Sequence, residues 1–103
     1  MAEKYRPSQA MMENARRGLE LRSRSPRSQQ GGTSVGLARA RQFAQGRAVS
    51  IDVVERTFSF LSRARTYYRP GENTPGTQAY LLWGGPAGLV WARNILRKLK
   101  QEK

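Results

Sequence analysis

Every apolar stretch of this chain recurs at intervals of three and four residues, and none alternates. That period belongs to the α-helix, so a core can be built here only by packing helical faces together. The expected fold class is all-α: a small single-domain bundle of about four to five helices.

Ser8, just after Pro7, is placed to cap the first helix, with Met11, Met12, Ala15 and Leu19 on one face. The stretch SRSPRSQQGG (Ser23–Gly32) then has no periodicity and carries proline and glycine. It reads as an exposed, mobile linker. Ser34 is the expected cap of a second helix running to Ala44, with Leu37, Ala40 and Ala44 inward and Gly46 closing it in a left-handed conformation. Ser50 caps a third, Ile51 to about Arg65, with Asp52 favouring its N-terminal dipole. Its apolar stripe is Ile51, Val54, Phe58 and Leu61, flanked by Val53, Thr57, Phe60 and Ala64; Asp52, Arg56, Ser59 and Arg63 form the polar one. After the Pro/Gly loop from Thr66 to Gly76, Thr74 and Pro75 suit the cap and first position of a short fourth helix that Gly84-Gly85 ends. Pro86 opens the last, with Leu89, Ala92, Leu96 and Leu99 inward and Trp91 and Ile95 alongside. The organisation expected from these signals is a basic N-terminal helix at 1–22, a flexible linker at 23–32 and a helical core at 33–100.

A chain of 103 residues makes at most one small domain. It has no cysteine and no histidine, which removes disulfides, thiol nucleophiles, imidazole bases and the common zinc sites. The seven carboxylates are scattered, so neither metal ligation nor paired-carboxylate hydrolysis has a basis. The expected protein is therefore no enzyme and carries no cofactor or metal. There is no apolar run long enough for a membrane span, and MAEKYRPSQ lacks the apolar region of a secretory leader.

Charge is the strongest compositional signal. Nineteen Lys and Arg face seven acids, a net charge of +12, where a small domain usually carries ~2 to 8. Such self-repulsion is relieved by an anionic partner. Arginine outnumbers lysine, and its planar fork grips phosphates bidentately. Nucleic acid, with DNA ahead of RNA, or an acidic protein surface is the expected partner, and no membrane.

Several clusters are candidates for that contact. Arg16, Arg17, Arg22, Arg24 and Arg27 crowd the N-terminal part, and Arg93, Arg97 and Lys100 form an outward row on the last helix, with Lys98 and Lys103 nearby. Arg39, Arg41, Arg56 and Arg63 are reserves on the second and third helices. Tyr67, Tyr68 and Arg69 form an aromatic-basic group that either stacks on unpaired bases or folds back as a lid. Trp83 and Trp91 are expected in the core, against each other or Phe58 and Phe60. The second and third helices, joined through AQGRAVS, have the form of a helix-turn-helix that would aim Ser50, Asp52, Val53 and Arg56 at bases, though ordinary pairing of the two helices fits better. Gly31-Gly32-Thr33-Ser34 suggests a phosphate cradle, but the lysine and preceding strand of a P-loop are missing, so these glycines are expected to turn the chain.

The segments NARRGLELR, GGTSVGLARARQFAQGRAVS, SFLSRA and AYLLWGGPAGLVWA together resemble a domain family of tailed bacteriophages, in one order across roughly residues 10–95. Leu81-Leu82-Trp83-Gly84-Gly85 followed by Trp91 is the strongest piece. Members occur as small free-standing proteins, and related segments accompany prohead-maturation reading frames. Members often carry a histidine where this chain has Ala64, so any role of that side chain is absent. The resemblance implies a phage origin and a compact helical module, without catalytic residues. Together with the charge it leads to a phage-encoded, non-enzymatic protein that binds nucleic acid through backbone phosphates, in the host cytoplasm during infection or in the virion. The alternatives are a head-associated virion protein contacting packaged DNA or an acidic capsid surface, and an inhibitor or adaptor of a host protein.

Overall fold

The computed structural model describes residues 3–101. Among the described residues five α-helices follow one another: α1 (Gln9–Ser23), α2 (Ser34–Ala44), α3 (Ile51–Ala64), α4 (Pro75–Leu82) and α5 (Gly85–Gln101). Short 3-10 turns occupy Arg27–Gln29 and Arg65–Tyr67. Among the described residues there is no strand, only an isolated antiparallel bridge between Tyr5 and Val49. The all-α expectation holds.

Local chemistry sets most boundaries. Ser8 caps α1, its hydroxyl accepting from the Met11 amide at 3.3 Å. Thr74 caps α4 by accepting from the Thr77 amide at 3.1 Å, and Pro75 takes the first helical position. The cap of α2 differs from expectation. Thr33, extended at φ −112°, accepts from the Gly36 amide at 3.1 Å, while Ser34 is already helical. Ser50 holds the cap position of α3 by backbone geometry, its hydroxyl making no cap hydrogen bond. Gly46 closes α2 at φ +72°, as its sequence position predicts. Gly84 and Gly85, at φ +107° and +61°, form the corner between α4 and α5. Two successive residues in that region are affordable only without a β-carbon.

Helix α1 is the centre of the bundle and lies against α4, α2 and α5, while α3 packs along α5. Met11, Ala15 and Gly18, at i, i+4 and i+7, form its buried face. Met11 and Ala15 join Ala40 and Phe43 of α2, Val53, Val54 and Leu61 of α3, Tyr80 and Leu82 of α4, and Ala92 of α5 in one core. α1 thus belongs to the same packed unit as residues 33–100. The inward face of α2 is Gly36, Ala40 and Phe43, rotated from the Leu37–Ala40–Ala44 face expected from sequence; Leu37 and Ala44 are half-buried. The tryptophans do not meet. Trp83 stacks on Phe60 with centroids 5.5 Å apart, and Trp91 meets the edge of Phe43 at 6.0 Å. Trp91 also donates from Nε1 to the Arg6 carbonyl at 2.7 Å, which ties the N-terminal segment to α5.

Segment 23–32, expected as an exposed linker, is largely exposed and is also tied to the bundle. Its anchor is polar: the fully buried Gln78 side chain of α4. Gln78 Oε1 accepts from the Gly31 amide at 2.8 Å, and Nε2 donates to Asn73 Oδ1 at 2.8 Å, to Ser25 Oγ at 3.0 Å and to the Gln29 carbonyl at 3.3 Å. Gly31 is buried against Pro75, where a methyl group would overlap the Pro75 carbonyl. The glycine pair turns the chain, and its first amide is consumed inside the fold rather than offered to a phosphate.

Candidate nucleic-acid interface

The basic residues of α1 divide between structural and free roles. Arg22 Nε donates to the Gly31 carbonyl at 3.0 Å and is half-buried. Arg16 Nη2 donates to the Ala44 carbonyl at 2.8 Å and so satisfies the C-terminal end of α2. Arg24 pairs with Glu20 at 2.6 Å on the exposed surface, a contact worth at most ~1 kcal/mol. Arg17 is exposed and lines a groove with Asn14, Leu21, Tyr68, Glu72 and Asn73. The N-terminal cluster expected to grip phosphate is therefore partly committed to holding α1, α2 and the 23–32 segment together.

On α2, Arg39 Nη1 donates to Gln42 Oε1 at 2.7 Å, with its buried Nε unpartnered among the described residues, while Arg41 is exposed. The helix-turn-helix reading is corrected by the packing. α2 lies on α1 and α4 and α3 on α5, and Val53, which would face DNA, is buried at 7% exposure. The expected ordinary pairing of α2 with α3 gives way to the same arrangement. Asp52, near the start of α3, would also repel phosphate.

Tyr67, Tyr68 and Arg69 do not act as one cluster. Tyr68 folds back and stacks on Tyr80 at 4.9 Å, and the Arg69 amide donates to Thr77 Oγ1 at 2.9 Å. Tyr67 points out, 68% exposed, and the Arg69 side chain is exposed as well. Burial pushes the Tyr80 phenol above its ordinary value; the Arg65 guanidinium opposes this and Tyr68 adds to it.

The row on α5 stays together at the surface. Arg93, Arg97 and Lys100 are exposed and line one groove of about 340 Å³ with Phe58 of α3 and Leu96. The helical spacing of the three cations keeps them in line. Packing of α3 along α5 supplies the apolar floor, which sequence reasoning missed by assigning Phe58 wholly to the core. Among the described residues none of these three cations has a carboxylate within ion-pair distance, so their donors face solvent. Lys103 lies outside the described residues. A second groove, also about 340 Å³, is formed by Phe60, Arg63, Ala64 and Tyr67. Arg56, without a polar partner among the described residues, lies one turn before Phe60. Among the described residues no group of carboxylates is arranged to hold a metal, and no helix is long and apolar enough to cross a membrane.

No protein-family model matches this chain, and neither a curated protein nor a solved structure matches it.

Proposed function

We propose that this chain is a phage-encoded, non-enzymatic basic protein that binds nucleic acid through backbone phosphates. The observation that carries the reading is the α5 row. Arg93, Arg97 and Lys100 stand together, exposed and without carboxylate partners among the described residues, on a protein of net charge +12. One packed helix fixes the spacing of their attachment points along a docked phosphate backbone. Arg41, Arg56, Arg63 and Arg69 are further exposed cations on other parts of the surface. The bacteriophage resemblance supports the origin and action in the host cytoplasm during infection.

Three neutralised phosphates release condensed counterions with a slope of log affinity against log salt of about −2.7 on duplex DNA, hence about a fortyfold loss between ~50 and ~200 mM salt. The test is affinity of tag-free protein for duplex and single-stranded DNA at those two concentrations. A loss at least this steep supports the reading; absence of binding at low salt removes it.

The likeness of four segments to reading frames beside prohead maturation favours a second reading, a head-associated protein whose basic face meets packaged DNA or an acidic capsid surface. Copurification with particles would support it.

A further inference from the structure

We infer that a second surface, the ridge Arg56–Phe60–Arg63–Tyr67, takes an unpaired nucleobase of a single strand, with Tyr67 as the stacking platform. The inference rests on the phosphate-binding reading and assigns a ligand class to a different face. The four residues fall at i, i+4, i+7 and i+11, so they share one side of α3 and of the 3-10 turn that prolongs it. Phe58 and the α5 cations lie on another flank of α3, some 200° of helical rotation from Phe60.

Cations and rings alternate along this ridge. Phe60 is backed by Trp83, itself only 8% exposed, with centroids 5.5 Å apart, so this end is rigid. Arg63 Nε donates to the Ser59 carbonyl at 3.2 Å, which steadies the guanidinium and leaves its terminal nitrogens for an anion. Tyr67 is the most exposed large hydrophobic residue at 68%, against 49% for Val35 and 44% for Val90. Its ring has no aromatic neighbour or hydrogen bond among the described residues. Its backbone, in contrast, is fixed, since a β-carbon at Gly76 would come within 2.9 Å of both Tyr67 Cβ and its carbonyl oxygen. The fold therefore fixes the backbone that carries the ring and leaves the ring itself free for a partner.

The groove between Tyr67, Phe60 and Arg63, about 340 Å³, is at the small end of ligand cavities, which run ~300–1,000 Å³. Its chemistry asks for a flat aromatic group carrying negative charge nearby. An apolar helix from another protein would leave Arg56 and Arg63 unmatched, and a duplex keeps its base faces stacked inside. A single strand supplies both parts, a base on Tyr67 with its phosphate on Arg63, and the phosphate of a nucleotide further along the strand on Arg56. Asp52 and Glu55 confine this anion site to the C-terminal side of Arg56.

The test compares a short oligothymidylate with an abasic strand of equal length and charge. Wild type should bind the thymidylate about five- to a hundredfold more tightly. Tyr67→Ala should abolish that preference while leaving abasic-strand affinity and salt slope unchanged, and Tyr67→Phe should keep it. Each variant is checked for wild-type helicity; the exposed ring is dispensable for folding. Equal binding of both strands by wild type, or a preference that survives Tyr67→Ala, overturns the inference and leaves phosphate binding standing. Failure to bind either strand removes both.

Discussion

Gln78 Oε1, wholly buried on α4, accepts the Gly31 amide at 2.8 Å across a sequence distance of 47 residues. One side chain thereby closes the 23–32 segment over the bundle. Gln78→Leu would keep the volume and strand the Gly31 amide, for which an unmade buried hydrogen bond costs ~1–3 kcal/mol. With the Nε2 contacts also lost, we expect about 2–4 kcal/mol of destabilisation and a drop of roughly 10–30 °C in Tm. Thermal unfolding followed by circular dichroism measures it; a shift of only a degree or two would mean that the segment is not anchored there.

The same contact bears on dynamics. The Gly31 amide should exchange its hydrogen slowly, and trypsin should cut after Arg24 and Arg27 much faster in Gln78→Leu than in wild type. Equal cleavage of the two proteins would restore the mobile linker expected from sequence.

Phe43 is fully buried and meets Trp91 edge-on at 6.0 Å. Phe43→Ala should cost about 3–5 kcal/mol through lost burial and the cavity left behind. The emission of Trp91 should shift to the red as its neighbourhood opens. Near-native stability would place Phe43 at the surface and overturn the orientation of α2.

Tyr80 gives the fold an alkaline limit. Burial raises its phenol above 10.0, so the folded state holds the proton more tightly than the unfolded chain. The stability this contributes is complete below pH 10.0 and is lost as pH rises through the folded value. Wild type should lose more stability than Tyr80→Phe between about pH 9 and about pH 11. Parallel losses in denaturant titrations would show that the phenol is solvated.

The helices were legible because proline, glycine and hydroxyl residues mark their ends. Thr74-Pro75, Gly46 and Gly84-Gly85 act where the chain places them. The partners of each helix were not legible, since periodicity identifies an apolar face without saying what covers it. On α2 the small Gly36 and Ala40 left the face ambiguous by one residue, and Phe43 was overlooked. Nothing local in the sequence singles out Gln78, because the backbone it meets is 47 residues away. The α5 cations were readable from spacing alone. Their apolar floor, and the separation of Tyr67 from Tyr68, depend on tertiary contacts of α3 and α4 that a linear pattern does not contain.

Phosphate contact by the α5 row is measured by the salt slope of duplex DNA binding for wild type and for the variant Arg93→Gln, Arg97→Gln, Lys100→Gln. Glutamine preserves helix propensity, and the three side chains are exposed, so helicity should match wild type. Each lost phosphate contact reduces the slope by ~0.9. Phosphate contact by this row predicts weaker binding on all sequences alike and a slope smaller by roughly 2 to 3. An unchanged slope in a folded variant would contradict it.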